Sequence, residues 1–256
     1  MCLVVFALNK NPKYKLILAG NRDEYYARKS LPFKWYKSET DELLSPRDLL
    51  ALGSFFGITK NGKLVFLTNY RNPDLFKTSA PSRGRIVWDY LTANVDPKRF
   101  IRSTNPVLYN PFNLVFGSID CLYYFSNIQN QLMRIKSGLH TLSNSLLDIS
   151  WPKTKKAKAA FENDILYAQD KKLMIKQLFK ILYDDTVFED SLPSTGIDLM
   201  QEKMLSSIFV KSKNYGTQTS YVLLIDYNNN AVVIEKNHIL QTNNEFHFCI
   251  SPKGVT

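Results

Sequence analysis

Three segments of this chain are apolar at all or all but one of their positions, instead of alternating between apolar and polar residues. They are LVVFAL at 3–8, LVFLT at 64–68 and YVLLI at 221–225. A strand that is apolar on both faces must lie between two layers of structure. Because strands come first, then helices, then strands again, the pattern predicts an α+β protein. A four-layer αββα sandwich of two stacked antiparallel sheets satisfies both observations, although the pattern alone also permits other α+β arrangements.

The first strands are predicted at 2–8 and 14–20, joined by the turn sequence NKNPK. They form a hairpin that ends at the tetrapeptide NRDE, Asn21–Glu24. Strands at 54–59 and 63–69 flank Asn61-Gly62, a strong signal for a tight hairpin turn. Seven more strands are predicted, at 112–118, 121–127, 131–135, 139–143, 220–226, 231–236 and 245–250.

The helices are predicted from caps and periodicity. Ser82 is placed to cap a helix that begins with RGRIV, and Asp96-Pro97 begins a short one. A long helical block is predicted from about 153 to 208. Within it, apolar residues with helical spacing form one face, namely Leu173, Ile175, Leu178, Phe179 and Leu182.

Length and composition favour a single domain over residues 1–256, because 45% apolar residues can form a full core. The three cysteines, Cys2, Cys121 and Cys249, lack the spacing of a disulfide scaffold or zinc site, which favours a reducing compartment. Cys121 and Cys249 lie in apolar patterns and are expected in the core. No secretory signal is visible, and no apolar run approaches the ~18 residues of a membrane span. We therefore expect a cytoplasmic protein without a transmembrane segment.

The net charge of +10 does not predict nucleic-acid binding. The densest basic cluster, PKTKKAK at 152–158, stands without an RNP-like motif, a zinc finger or a helix-turn-helix pattern. We interpret this cluster as the solvent-exposed face of a helix. The charge fits small anions, such as carboxylates, thioester cofactors or porphyrin propionates, equally well.

Cys2 is the residue best suited to act as a catalytic nucleophile. If Met1 is removed, Cys2 carries both a thiol nucleophile and, in its own α-amino group with a pKa of about 8, a base. Arg22 and Asp23 are expected at the same end of the first hairpin, where they could orient the amine and favour the thiolate. Asn69 and Asn144 follow apolar strands and could donate to an oxyanion. The alternative is that Cys2 is a small buried apolar residue and that these polar residues stabilise turns.

The absence of several other motifs argues against the classes of protein that carry them. None of the three histidines has the spacing of a zinc site, and the phosphate-loop, dinucleotide-binding and serine-hydrolase motifs do not occur. No cofactor is therefore required.

Seven ordered motifs resemble the NRDE family, also called the transport and Golgi organisation protein 2 family. They are MCLVVFALN, NRDE, LTNYRNP, SRGRIV, YNPFNLVFG, LSNSLLDISWPK and YGTQTSYVLLID. The resemblance runs from residue 1 to about 236. It implies an amino-terminal-nucleophile-hydrolase-like fold, with the cysteine behind Met1 as its hallmark. It also implies a link to intracellular haem mobilisation and to lipid or acyl-CoA handling.

A more distant resemblance concerns LSNSLLDISW, which is similar to the segment around the oxyanion asparagine of choloylglycine-type amidases. It implies that Asn144 is the oxyanion donor and that Arg22 and Asp23 flank Cys2. The chain departs from the NRDE family at YGTQ, because the family commonly has arginine where Gln218 stands. A neutral residue thus replaces an expected cation.

Two functions from different classes follow. The first is a carrier of haem or a similar amphipathic anion, built on a hydrolase-like cleft, with haem as a transported ligand. Transient membrane contact fits this role, and the oligomeric state is left open. The residues expected to bind the ligand are Asn21, Glu24, Arg71, Arg83, Arg85 and Gln218, with Arg22 as a further cation and Phe55, Phe56 and Tyr70 as apolar walls. The second is an N-terminal-cysteine amidohydrolase, which cleaves a C–N amide bond and requires Met1 to be removed.

Overall fold

The computed structural model describes residues 2–39 and 41–251, with only the main chain of Cys2. The described part contains two antiparallel sheets and five α-helices. The strands are β1 Cys2–Leu8, β2 Tyr14–Tyr25, β3 Ser30–Lys37, β4 Glu42–Asp48, β5 Phe56–Thr59, β6 Lys63–Asn69, β7 Phe112–Ser118, β8 Cys121–Ser126, β9 Gln131–Arg134, β10 Gly138–Leu142, β11 Tyr215–Asp226, β12 Asn230–Asn237 and β13 Thr242–Cys249. The helices are α1 Gly84–Thr92, α2 Pro97–Ser103, α3 Pro152–Asp164, α4 Lys171–Leu182 and α5 Leu199–Met204.

The chain divides into two compact units, each made from separate segments. The first unit comprises Met1–Ala27, Arg71–Asp74 and Lys136–His247; the second comprises Arg28–Tyr70, Leu75–Ile135 and Phe248–Thr256. That all 256 residues form a single domain stays a prediction.

The first unit contains a six-stranded sheet with the order β10-β1-β2-β11-β12-β13. Side chains that alternate along β1, β2 and β11 pack against α3 and α4, so that Leu3, Ile17 and Val222 share one core with Phe161 and Leu178. The residues between them are also buried, and in β1 no residue from Leu3 to Leu8 is more than 5% exposed. The prediction that these strands are buried on both faces is confirmed.

The second unit contains a seven-stranded meander in which β3 to β9 follow one another in chain order. Helix α1 packs its buried face, including Val87 and Leu91, against a core that also holds Val65 and Phe116. Gly57 in β5 permits this close approach, because a Cβ there would lie 2.3 Å from Cδ1 of Leu91.

Several predicted elements are wrong in detail. Strand β2 does not end at the NRDE tetrapeptide but continues through it to Tyr25. Strands β3 and β4 were not predicted. Helix α1 is capped by Arg83 without a side-chain hydrogen bond, so Ser82 is not its cap, whereas Asp96 does cap α2 by accepting from two main-chain N–H groups.

The predicted helical block is interrupted between α4 and α5 by residues 183–198. On α4, Leu173 is 51% exposed, and Met174 and Ile181 are buried instead. The two remaining cysteines are not core residues: Cys121 is half-buried and Cys249 is exposed. Cys249 lies in β13, an edge strand in which exposed and half-buried residues alternate.

Candidate functional site

Strands β1, β2 and β11 bring three chemically distinct positions into one row. Cys2 is the direct register partner of Arg22, and Arg22 is in turn the partner of Thr219 in β11. The predicted juxtaposition of Cys2 with the NRDE segment is therefore confirmed for the main chain. The thiol of Cys2 and all of Met1 lie outside the described residues.

The NRDE tetrapeptide places side chains on both faces of the sheet, because successive side chains of a strand point in opposite directions. Asn21 and Asp23 continue the row of Ile17 and Ala19, whose side chains belong to the core beneath α3 and α4. Arg22 and Glu24 are consequently directed to the opposite face. The four residues thus form two separate polar groups.

Asn21 joins the strand to the helical layer. Its amide nitrogen donates to the main-chain oxygens of Leu182, at 2.8 Å, and Ile208, at 2.9 Å. Its Oδ1 accepts a 2.7 Å hydrogen bond from the Ser220 hydroxyl. The side chain is fully buried, and the predicted ligand contact of Asn21 stays a prediction that would require these bonds to open.

The Ser220 hydroxyl also lies 2.9 Å from Nε2 of His238. Because the hydroxyl proton is directed at Asn21, its oxygen must accept a proton from His238, which assigns that proton to Nε2. Burial lowers the pKa of His238 and the Lys236 ammonium lowers it further, which favours this neutral form. Ser220 is therefore held as a structural link, and His238 is not in the tautomer that could act as its base.

Asp23 is buried beside cations. Its Oδ1 accepts a 2.6 Å hydrogen bond from Thr217, its register partner in β11. Burial raises the pKa of Asp23, while the Lys153 ammonium, the Thr217 hydrogen bond and the Arg22 guanidinium oppose that rise. Lys153, itself only 2% exposed, donates to the main-chain oxygen of Leu205 at 2.9 Å.

A β-bulge in β11 places Gln218 against Arg22. The register shifts by one residue between Thr217 and Thr219, which leaves Gln218 as the additional residue. Its Oε1 accepts a 2.7 Å hydrogen bond from Nη1 of Arg22, and its Nε2 donates to the main-chain oxygen of Tyr25 at 2.5 Å. The carboxylate of Glu24 lies 3.8 Å from Nη2 of Arg22, beyond hydrogen-bond distance. Sequence reasoning noted Gln218 but did not predict the bulge that positions it.

Thr219 has an unusual environment in this row. It is 1% exposed, and its hydroxyl forms no hydrogen bond with any residue in the described part of the chain. A buried hydroxyl without a partner is unfavourable and calls for an explanation, such as a bound water, an ion or a functional role. Sequence reasoning did not identify Thr219.

Arg71 and Asn144 also lie in the first unit. The main-chain N–H of Arg71 donates to the Asn144 oxygen at 2.8 Å. The Arg71 guanidinium forms a buried ion pair with Glu202 and lies 4.9 Å from the Trp151 ring centroid. Burial lowers the pKa of Arg71, and the Glu202 carboxylate opposes this change. The side chains of Arg71, Trp151 and Glu202 border a cavity of about 10 Å³, which has room for about one water molecule.

The segment that carries Asn144 is fixed by a histidine–carboxylate pair. Nδ1 of His140 lies 2.7 Å from Oδ2 of Asp148, and Nε2 lies 3.0 Å from the main-chain oxygen of Lys136. Both partners are acceptors, so His140 satisfies them best as the protonated imidazolium, which donates from both nitrogens. Asn144 itself is 1% exposed. The predicted oxyanion role of Asn144 stays a prediction.

The other predicted site residues lie in the second unit. Asn69 ends β6, and Arg83 donates to the main-chain oxygen of Pro111 at 2.8 Å. Arg85 is 72% exposed and pairs with Asp89 one helical turn away. Phe56 is fully buried in β5. Ligand contacts by Asn69, Arg83 and Arg85 stay predictions.

Within residues 2–39 and 41–251, no cluster of three or more His, Cys, Asp or Glu side chains is arranged to hold a metal ion. None of the helices that the structure describes is both long and apolar enough to cross a bilayer.

Comparison with solved structures defines the class of fold. Two crystal structures of variants of the conjugated bile acid hydrolase from Clostridium perfringens match 99% of this chain and 94% of theirs, with TM-scores of 0.52 and 0.50. At 10% sequence identity this likeness shows the fold alone. The chain has the α+β fold of amino-terminal-nucleophile hydrolases, as the sequence predicted.

The chain belongs to the Transport and Golgi organisation 2 family, whose sequence model matches residues 1–239. It is 31% identical over 261 residues to the Transport and Golgi organization protein 2 homolog of Homo sapiens, with 92% of each chain covered. It is 29% identical over 266 residues to Transport and Golgi organization protein 2 of Drosophila melanogaster, again with 92% of each covered.

Proposed function

We propose that the protein binds and hands over a small amphipathic anion, with the anionic group held at the row of Cys2, Arg22 and Thr219. The class includes haem, through its propionates, and acyl-CoA-like molecules. We further propose that it does so in the cytoplasm. The resemblance of the sequence motifs to the NRDE family supports this ligand class.

The observation that carries the proposal is the pairing of Arg22 with Thr219 in register. A guanidinium recognises carboxylate and phosphate oxygens by charge and by directed hydrogen bonds. Arg22 is only 5% exposed and donates to the neutral Oε1 of Gln218, so its charge would attract an anion in this row through a medium of low polarity. The Thr219 hydroxyl supplies a second donor in the same row.

The variant Thr219→Val tests the proposal sharply. Valine is nearly isosteric with threonine, and the Thr219 hydroxyl has no partner among the described residues, so the variant should be at least as stable as the unchanged protein. It should bind the ligand about tenfold more weakly, since a hydrogen bond to a charged group contributes about 1.5–3 kcal/mol. Titrations with hemin, followed by absorbance, and with palmitoyl-CoA, followed by tryptophan fluorescence, would measure this effect.

Two control variants accompany the titration. Thr242→Val lies at an exposed position of β13 and should change neither stability nor binding. Arg134→Met removes an exposed arginine at the end of β9 and should leave binding nearly unchanged. Failure of both probes to bind, or equal affinity of Thr219→Val, would contradict the proposal.

The second candidate is an N-terminal-cysteine amidohydrolase, and the register of Cys2 with Arg22 favours it. After removal of Met1, the α-amine of Cys2 would take the thiol proton, and the thiolate would attack an amide carbonyl. The α-ammonium would then return that proton to the leaving nitrogen as the C–N bond breaks, which releases the amine and leaves a thioester on Cys2. Water would then hydrolyse the thioester. The intact mass of untagged protein, followed by peptide mapping after limiting iodoacetamide, tests this. Retained Met1, or a Cys2 no more reactive than Cys121 and Cys249, would exclude the mechanism.

A further inference from the structure

The second unit exposes large apolar side chains at two neighbouring turns. The exposed fractions are 45% for Leu75, 63% for Phe76, 73% for Val107 and 55% for Leu108. These four residues are called the apolar patch below. Neighbouring large apolar residues that remain exposed generally mark an interaction surface.

Hydrogen bonds tie the two turns together. The main-chain N–H of Lys77 donates to Oδ1 of Asn110 at 2.7 Å, and Nδ2 of Asn110 returns a 3.0 Å bond to the Lys77 oxygen. Nζ of Lys77 donates to the main-chain oxygen of Val107 at 2.7 Å. Asn110 is itself held near Asn127, whose side chain donates to the Pro106 oxygen at 3.2 Å. The apolar patch is therefore one fixed surface.

Basic residues lie on the segments that form this surface and lead into it, and the exposed Asp74 is the acid next to Leu75. Lys77 lies between the turns, and α2 leads directly into the second turn with its exposed side chains Lys98, Arg99 and Arg102. The acidic residue of this helix is Asp96, whose carboxylate is occupied in capping α2. Four cations beside exposed apolar side chains complement a surface that is both anionic and apolar.

We propose that the apolar patch docks on the surface of a lipid bilayer that contains anionic lipids. Phe76 and Val107 enter the headgroup region, and Lys77, Lys98, Arg99 and Arg102 lie against the lipid phosphates and carboxylates. A bilayer surface fits because the apolar residues occur on exposed turns and exposed cations occur on the adjoining segments. The contact is reversible, since four apolar side chains do not anchor a protein permanently.

Flotation of the full-length protein with vesicles tests the proposal. Binding is expected to vesicles of phosphatidylcholine with phosphatidylserine, and much less to phosphatidylcholine alone. It should decrease as salt is raised, because screening weakens each lysine or arginine contact. The double variant Lys98→Glu/Arg102→Glu should lower the partition coefficient by at least about fivefold per residue changed. Phe76→Ser and Val107→Ser should each lower it on vesicles of the same composition.

Matched variants distinguish a specific role of the apolar patch from a general effect of removing apolar surface or positive charge. Tyr167→Ser removes a large apolar residue that is 80% exposed in the first unit. Lys172→Glu/Lys176→Glu reverses two exposed charges on α4. Both should bind vesicles like the unchanged protein. No binding to phosphatidylserine vesicles, or an equal loss in the matched variants, would overturn the proposal.

Discussion

Gln218 accepts a hydrogen bond from Arg22 across β11 and β2, at 2.7 Å and with both side chains buried. An arginine at this position would carry five donors and no acceptor. It could not accept this bond and would place a second cation beside Arg22. The neutral glutamine is therefore matched to Arg22, and the β-bulge brings it into position.

The variant Gln218→Glu should weaken binding of the anionic ligand by about tenfold and should lower stability, because its carboxylate cannot donate to the Tyr25 oxygen as Nε2 of Gln218 does. A carboxylate still accepts from Arg22, but it neutralises the guanidinium that the proposal assigns to the ligand. Gln218→Leu should instead destabilise the fold by about 1.5–3 kcal/mol, because the bond it removes involves a buried charged group. Urea denaturation and hemin titration measure the two effects, with the exposed Gln169→Leu as the matched control. Unchanged affinity in Gln218→Glu would argue that Arg22 does not contact the anion.

The variant Ser220→Ala should lower the free energy of unfolding by about 1–2 kcal/mol. The hydroxyl links Asn21 to His238, and its removal leaves the buried Oδ1 of Asn21 without its donor. Urea denaturation measures the change, and Ser79→Ala at an exposed position serves as control. An unfolding free energy equal to that of the unchanged protein would contradict the structural link assigned to Ser220.

Breaking the ion pair of Arg71 with Glu202 should have a large effect. The side chains are 7% and 4% exposed, so Arg71→Met leaves a buried carboxylate and should destabilise the protein by about 3–5 kcal/mol. The double variant Arg71→Met/Glu202→Met should recover much of that loss, because no isolated charge remains. The more exposed pair of Lys203 with Glu189 is the comparison, and Lys203→Met should change stability by less than about 1 kcal/mol. If the stability losses of Arg71→Met and Glu202→Met summed to that of the double variant, the energetic coupling between Arg71 and Glu202 would be contradicted.

The pair of His140 with Asp148 should make stability depend on pH. Burial alone lowers the pKa of His140, but the hydrogen bonds to Asp148 and Lys136 raise it overall above its ordinary value. The folded protein therefore binds a proton more tightly than the unfolded chain does. The stabilisation is fully present below the unfolded pKa of about 6.5 and is lost as pH rises through the raised folded pKa.

The measurement is the difference in unfolding free energy between the unchanged protein and His140→Gln across this range. The difference should shrink as pH increases above about 6.5. The pKa of His238 is lowered on folding, so it contributes the opposite slope in both proteins, and that slope cancels in the difference. A difference that grew with pH would refute the assigned protonation of His140.

The fold was predictable where apolar residues are continuous, and not where the strands are polar. The run at 3–8 and the Asn61-Gly62 turn identified the central hairpins. Strand β3 is an edge strand with mostly half-buried residues and a proline, so its sequence lacks an apolar run. The last residues of β2, from Asp23 to Tyr25, pair with β11, which lies far away in the chain.

The site was predictable to a similar extent. The register of Cys2 with Arg22 follows from the hairpin, which is local in sequence. The contributions of Gln218 and Thr219 depend on a bulge, and no feature of YGTQTS indicates where the register shifts. The structural links made by Asn21 and Ser220 require knowledge of both strands together.

The two partners of β2 become available at very different times during synthesis. Its pairing with β1 needs only a short turn, but Arg22 and Gln218 are 196 residues apart in the chain. At typical elongation rates of about 5–20 residues per second, β11 leaves the ribosome roughly 10–40 s after β2. All seven strands of the meander are synthesised in that interval. A nascent chain must therefore keep the open edge of β2, with its row of unpaired main-chain groups, from joining the wrong strand until β11 arrives.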